Sequence, residues 1–435
     1  MTVRRIDLAT LSASERRDLV RRSAVPDPDI RSAAAAIIRD VAERGDEAVV
    51  AYSERHGGGA TDGSTTLDPA TIRSAGAGLD PELREALEAA AAAIRAVHER
   101  QRPVDDMIEP TPGVVVKRRW APLRRVGVYV PGGQAAYPSS VLMGVIPAQV
   151  AGVDEIVVIT PAGADGTLNP AMLGAVGLLG VDEVYVAGGA QAIAAAAMGT
   201  NTLAPVDKIV GPGNAWVTAA KVEVFGTVSI DLPAGPSEAI VVADDTADPA
   251  VVAADLLCQA EHGGDSPVML VTWDGAIADA VAARIETELS SYERADTLAA
   301  SLDKHGAIVV APDRDTALRF CDDYAPEHIG FHTATAAADA DAVTAAGSVF
   351  VGPFTPHSAA DYATGANHVL PTGGLARSHG PLAVEDFGSW RQQQEITAEG
   401  LAAVAPVITT IARAEGLTAH ARAVTVRFET QETPS

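Results

Sequence analysis

The chain has 435 residues, more than one ordinary domain needs, and 47% hydrophobic against 20% charged residues supplies material for packed cores. Its 57 acidic residues outnumber 32 basic ones for a net charge of −25, a field that repels nucleic acid and anionic membrane surfaces. Two cysteines, Cys258 and Cys321, cannot staple so long a chain, no apolar segment follows the arginines of MTVRRIDLATLS, and no run reaches the roughly 18 apolar residues of a membrane span; a cytoplasmic protein is expected. Nearly all the positive charge is arginine, with lysine only at Lys117, Lys208, Lys221 and Lys304, and an acidic, lysine-poor surface suits a salt-loving or high-GC organism.

Residues 1–25 read as a short helical arm, with Leu11, Leu19 and Val20 among many charges. From Asp29 to about His56, apolar residues recur at helical spacing. GGGATDGSTT (57–66) reads as a loop, and a long Ala/Leu/Glu helix follows from about Asp80 to Gln101, with Pro81 early in it. The middle of the chain alternates short β-branched runs with Ala/Leu-rich helical stretches. VGVYV (126–130), EIVVIT (155–160), EVYVAG (183–188) and KIVG (208–211) form one set. EAIVVAD (238–244), VMLVTW (268–273), AIVVAP (307–312), HIGF (328–331) and SVFVG (348–352) form another. Strand–helix–strand at this spacing predicts two parallel α/β units, one near 129–238 and one completed after it. From about Gly380 the strands are expected to stop, leaving a small, mainly helical tail.

No G-x-G-x-x-G follows a predicted strand, yet three Gly-rich turns do: VPGG (130–133), AGGAQA (187–192) and GPGNAW (211–216). Each alone is an ordinary strand-to-helix turn. Three in one unit, at the carboxyl ends of parallel strands, raise the odds of a nucleotide site. LLCQAEHGG sets Gln259 and His262 three apart, hence on one helical face. The bland reading there is a polar helix end, and Cys258 beside it reads as a small core residue rather than a nucleophile. HSAADYATGANHVLP holds His357, Asp361 and His368; YAPEHIG sets Glu327 beside His328, an acid/base pair; AEGLTAH offers Glu415 and His420. A metal site built here uses nitrogen and oxygen ligands, which suits zinc.

Together these segments resemble the histidinol dehydrogenase family, from about Asp29 to Arg427. The resemblance is carried by YVPGGQAAYPSSVLM (129–143), AGGAQAIAA (187–195), VDKIVGPGN (206–214), AGPSE (234–238), QAEHG (259–263), YAPEH (324–328), DYATGANHVLPT (361–372) and EGLTAH (415–420). It implies an α/β fold with two incomplete Rossmann-like parallel-sheet domains and small helical N- and C-terminal domains. Carried onto this chain, these are an arm at 1–25, a metal-carrying and catalytic domain of 26–128 with 239–379, an NAD-binding domain at 129–238, and a C-terminal domain at 380–435. It implies a homodimer with shared active sites, zinc held by Gln259, His262, Asp361 and the partner copy's equivalent of His420, and proton transfer by Glu327 and His328. Ser237, Glu415 and His368 would hold substrate together with His328 and the zinc ligands, and Tyr129, Gln191 and Asn214 would contact NAD. The implied reaction takes L-histidinol through the aldehyde to L-histidine with two NAD. Residues 385–397 (EDFGSWRQQQEIT), His357 and Ala360 depart from the usual pattern, which keeps a related zinc/NAD dehydrogenase of another polar diol, such as a sulfonated propanediol, as the second reading. A zinc hydrolase is the third, and it has no use for three Gly-rich turns on a parallel sheet.

Overall fold

Each of the nine β-branched runs becomes a parallel strand; eight are largely covered on both faces and have no wet side to alternate with, while SVFV, at a sheet edge, buries only Phe350. The computed structural model describes residues 3–132 and 136–429; Gly133, which ends the first Gly-rich turn, lies outside the described residues with Gln134 and Ala135. In chain order the strands are β1 (Arg4–Asp7), β2 (Asp106–Thr111), β3 (Val114–Pro122), β4 (Arg125–Tyr129), β5 (Glu155–Thr160), β6 (Glu183–Val186) and β7 (Lys208–Val210). They continue as β8 (Ser229–Ile230), β9 (Ala239–Ala243), β10 (Val268–Thr272), β11 (Gly306–Val310), β12 (His328–His332), β13 (Ser348–Val351) and β14 (Gly388–Ile396).

One sheet is six-stranded and parallel throughout, in the order β1-β11-β10-β9-β12-β13. The other is five-stranded and parallel, in the order β6-β5-β4-β7-β8. With β1 set aside, both follow one plan: the third, second, first, fourth and fifth strands of their own stretch of chain. That is the dinucleotide-fold order short of its sixth strand. Strands β4, β9, β10 and β12 are buried at every residue, so their interiors are apolar or glycine and their polar residues, Arg125, Thr272, His328 and His332, fall at strand ends.

The N-terminal arm is only partly helical. Arg4–Asp7 pairs with β11, and Ile6 and Leu8 enter the core beside Val309 and Phe331 before the helix Ala13–Val20 begins at a Ser12/Glu15 capping box. The expected helix from Asp29 to His56 is two, Pro28–Arg44 and Asp46–His56, parted by Gly45 at φ 58°. Sequence reading grouped residues 26–128 with 239–379. In the fold, Ile38, Val41 and Val49 of these helices share a core with Tyr129, Val157 and Ile159 of the five-stranded sheet.

Residues 102–122 and 388 onward form a unit of their own. Its sheet is antiparallel, β14-β3-β2, accompanied by the helices Ala398–Ala414 and Thr418–Glu429. The expectation that strands stop near Gly380 is corrected by β14, whose GSWRQQQEI is mostly exposed and gives no apolar alternation to read. Trp390 pairs with Trp120 across the ladder, and the Arg118 guanidinium lies 3.7 Å from the Trp390 ring centroid. Among the described residues no helix is long and apolar enough to cross a membrane.

Candidate active site

Strands β9 and β12 are neighbours with Ala239 opposite His328, so the residues just ahead of each strand meet at the sheet's amino edge. Ala325, the one described non-glycine residue at positive φ (53°), ends the helix Arg314–Tyr324 and turns the chain toward Glu327. There Glu327 Oε2 accepts from the Ser237 hydroxyl and from the Glu238 backbone N–H, both at 2.8 Å. Gln259 donates its amide nitrogen to Ser237 Oγ at 2.8 Å, which leaves Gln259 Oε1 buried with no partner among the described residues.

His328 is buried, with Nδ1 3.2 Å from the Glu238 carbonyl oxygen and 3.5 Å from Glu327 Oε2. A carbonyl can only accept, so Nδ1 carries the proton and Nε2 is left as the basic nitrogen. Burial alone would push this imidazole down; the Glu327 carboxylate, with Asp361 and the Glu238 carbonyl, outweighs it, and the net displacement is upward. Glu238 is in turn gripped by Arg22, whose Nη2 lies 2.6 Å from Oε1 and whose guanidinium stacks 3.2 Å from the Tyr324 ring centroid. Sequence reading missed both. The AGPSE motif contains Glu238, but nothing in the pattern singles out Arg22.

The second wall comes from the chain after β13. Asp361 lies on the short helix His357–Tyr362, and His368 Nδ1 is 3.9 Å from its Oδ1. The loop between them is fixed from behind: Asn367 donates to the Met143 carbonyl at 2.9 Å and sits 3.2 Å from His98 Nε2. Burial lowers the His368 imidazole and Asp361 only partly opposes it. The expectation that Gln259 and His262 share a helical face is corrected: the helix Pro249–Ala260 closes first, and His262 sits exposed in the turn beyond, its N–H on the Gln259 carbonyl. Burial, then the carboxylates of Asp361, Asp255 and Glu261, push the Cys258 thiol up to about 11, which suits a bystander and not a nucleophile.

A cleft of about 640 Å³ joins these groups, lined on this side by Ser237, His262, Glu327, His328, Asp361 and His368. The facing side is the five-stranded sheet, through Pro131 and Gly132 after β4 and Gly213 and Asn214 after β7. A further cavity of about 490 Å³ shares Pro131, Gly132 and Tyr137 and continues past the end of β5. Asn214 Oδ1 caps the helix Ala215–Val224 through the N–H groups of Trp216 and Val217. Gly211, at φ 108°, runs so close to Tyr129 that a Cβ would press into its carbonyl oxygen. Of the other two nucleotide candidates, Tyr129 accepts from the Gly189 N–H at 3.4 Å and Gln191 lies in the helix Gly189–Met198; both are buried and neither lines the cleft. Glu415 and His420 belong to the unit of residues 102–122 and 388 onward, where both are exposed. Among the described residues, no three His, Cys, Asp or Glu side chains gather as a metal cluster.

Residues 20–428 match the family model described as histidinol dehydrogenase. The chain is 46% identical over 405 residues to the histidinol dehydrogenase of Rhizobium meliloti, covering 93% of each, and 46% identical over 423 residues to that of Natronomonas pharaonis, covering 97% of this chain and 99% of the relative. A crystal structure of histidinol dehydrogenase from Elizabethkingia anophelis superposes with a TM-score of 0.91 at 37% identity, covering 99% of both chains. With the family model matching most of the chain and these relatives covering it nearly end to end, the chain is an oxidoreductase that belongs to the histidinol dehydrogenase family.

Proposed function

We propose that this protein oxidises L-histidinol to L-histidine with NAD and zinc, the last steps of histidine biosynthesis. The observation that carries the reading is the hydrogen-bonded chain Gln259–Ser237–Glu327, with His328 Nδ1 beside Glu327, at the edge of a cleft whose other wall is the nucleotide-type end of a parallel sheet. The unpartnered Gln259 Oε1 fits a metal: a buried amide oxygen needs a partner, and a divalent cation is one. His262 and Asp361 would supply an imidazole and a carboxylate, and the partner copy's equivalent of His420 would complete the set in a homodimer.

Zinc held by these residues would supply a Lewis-acid anchor for the polar substrate, and NAD would supply the hydride acceptor. His328 Nε2 takes the hydroxyl proton as the carbon gives up hydride, and the Glu238 carbonyl and Glu327 hold the resulting imidazolium through Nδ1. All three contacts to Glu327 fall on Oε2, so Oε1 is the oxygen left to orient the water that hydrates the aldehyde before the second hydride leaves. Ser237 and the Glu238 N–H fix this carboxylate, and Ser237 is itself held by the Gln259 amide. Asn214 and the Gly211 turn receive the dinucleotide at the helix N-terminus.

The test is purified protein with NAD and L-histidinol, following reduced cofactor to completion. Two reduced cofactors per histidinol and activity lost to a chelator are expected; one per substrate, or full activity on a sulfonated propanediol and none on histidinol, assigns the relative's chemistry instead. Mixing inactive His262→Ala and His420→Ala chains should restore up to about half the activity per mixed dimer, because one of its two sites draws both ligands intact. Well-folded mixed dimers that stay inactive would remove the shared site.

A further inference from the structure

Strand β12 presents His328, Gly330 and His332 on one face, since side chains alternate along a strand. The glycine leaves a notch between two histidines, and His357 lies in it: a Cβ at position 330 would stand 3.2 Å from His357 Nε2. His357 is 2% exposed, and neither of its ring nitrogens has a hydrogen-bond partner among the described residues. Its ring centroid is 5.6 Å from that of His328, with the planes 26° apart, and 4.6 Å from that of Phe350. Phe350 sits opposite Gly330 on β13 and closes the third side, 5.9 Å from the His328 ring. The catalytic imidazole is therefore boxed by two flat rings over a glycine. Neither ring nitrogen of His357 hydrogen-bonds His328, so the contact between them is ring packing and not a proton relay. What stacking can do is fix the plane of its neighbour.

We propose that His357 is a positioning residue for the proposed reaction: its buried ring, seated on Gly330 and backed by Phe350, holds the His328 imidazole in the orientation from which Nε2 reaches the substrate hydroxyl. The inference rests on the reading of His328 as the base. The His328 Nδ1–H is shared between acceptors at 3.2 and 3.5 Å, long contacts that hold the ring loosely, and the rings of His357 and Phe350 packed against it oppose rotation of its plane. A planar side chain is required at 357 and a polar one is not. Burial, followed by repulsion from His328, His332 and His262, keeps His357 neutral, so it adds no charge beside the base.

The test is steady-state kinetics on the zinc-loaded enzyme for His357→Leu, His357→Phe, Phe350→Leu and His328→Gln, with thermal melting of each. His357→Leu keeps apolar bulk but no flat face; its kcat should fall about tenfold or more, with both KM values within about twofold, because a small misplacement of a reacting group costs rate before it costs binding. His357→Phe should recover most of that loss. Phe350→Leu should lower kcat in the same direction by less, and it decides the matter if His357→Leu melts too low to assay. Equal turnover in the Leu and Phe variants, or KM rising in step with the fall in kcat, overturns the stacking role. If His328→Gln is slow while His357→Leu and Phe350→Leu are not, the base stands and this inference falls. If His328→Gln turns over normally, the base itself is wrong.

Discussion

The two parallel sheets share a strand order and meet the same cleft with opposite ends. The five-stranded sheet offers the carboxyl ends of β4 and β7, the neighbours at which its order reverses, and open Gly-rich turns border the cleft there, as the rule for such sheets requires. The six-stranded sheet offers the amino ends of β9 and β12. Its own reversal point, at the far end of those strands, is filled with protein: Ala334 donates to Asp244 at 2.9 Å and His332 Nε2 lies 2.8 Å from Asp255. Strand order therefore says where a dinucleotide can sit and is silent on which end of a sheet carries chemistry.

The comparison breaks hardest at Lys221. Its fully buried ammonium pairs with Asp231 and bonds the Gly211 carbonyl at 2.9 Å, while Asp231 accepts from the Gly211 N–H at 2.7 Å, so one ion pair clamps both faces of the turn after β7. Lys221→Met strands a buried carboxylate and should cost about 3–5 kcal/mol in urea unfolding. A loss under about 1 kcal/mol would mean that this end of the sheet does not depend on the clamp.

His328→Gln tests the other end. Turnover should fall roughly 10²-fold, about 2.7 kcal/mol in the barrier, while NAD affinity measured by direct titration stays within about twofold. If affinity falls alongside turnover, the division of labour between the sheets is wrong.

The smallest expected effect is a slope. Burial first of all holds His98, His357 and His368 below the ordinary imidazole value. Below about pH 6.5 the unfolded chain takes up protons at these sites that the folded chain refuses, so the stability they contribute is whole above that pH and drains as pH falls toward their folded values. Urea midpoints measured from pH 8 down to pH 5 should decline, and His357→Phe should flatten the decline. An unchanged slope in that variant would place the acid sensitivity elsewhere.

What the sequence disclosed follows the same division. Strands buried on both faces announce themselves, and eight of the nine runs were legible for that reason; the ninth, SVFV at the sheet edge, buries only Phe350 and was legible from its β-branched and aromatic residues. β1 is RRID with one buried side chain, β2 is exposed along nearly its whole length, and β14 carries three consecutive glutamines; such strands are held by their partners and leave no pattern. In the site, side chains with distinctive chemistry in Gly/Pro-flanked segments were readable: Ser237, Glu327, His328, Asp361 and His368 do meet at one cleft. The groups that set their geometry were not. Arg22 reaches Glu238 across 216 residues, and Gly330 matters only because His357 lies against it.

β1 also fixes a timetable for making the molecule. It is among the first residues of this sequence to be synthesised, yet Arg4 pairs with Ala307, about 300 residues later. At 5–20 residues per second the partner strand arrives roughly 15–60 s afterwards. The five-stranded half, residues 125–230, is complete on the ribosome well before that. Ile6 and Leu8 stay without their core throughout the interval, so of the two parallel sheets the six-stranded one closes second, by capturing a segment that has been waiting for its partner strand.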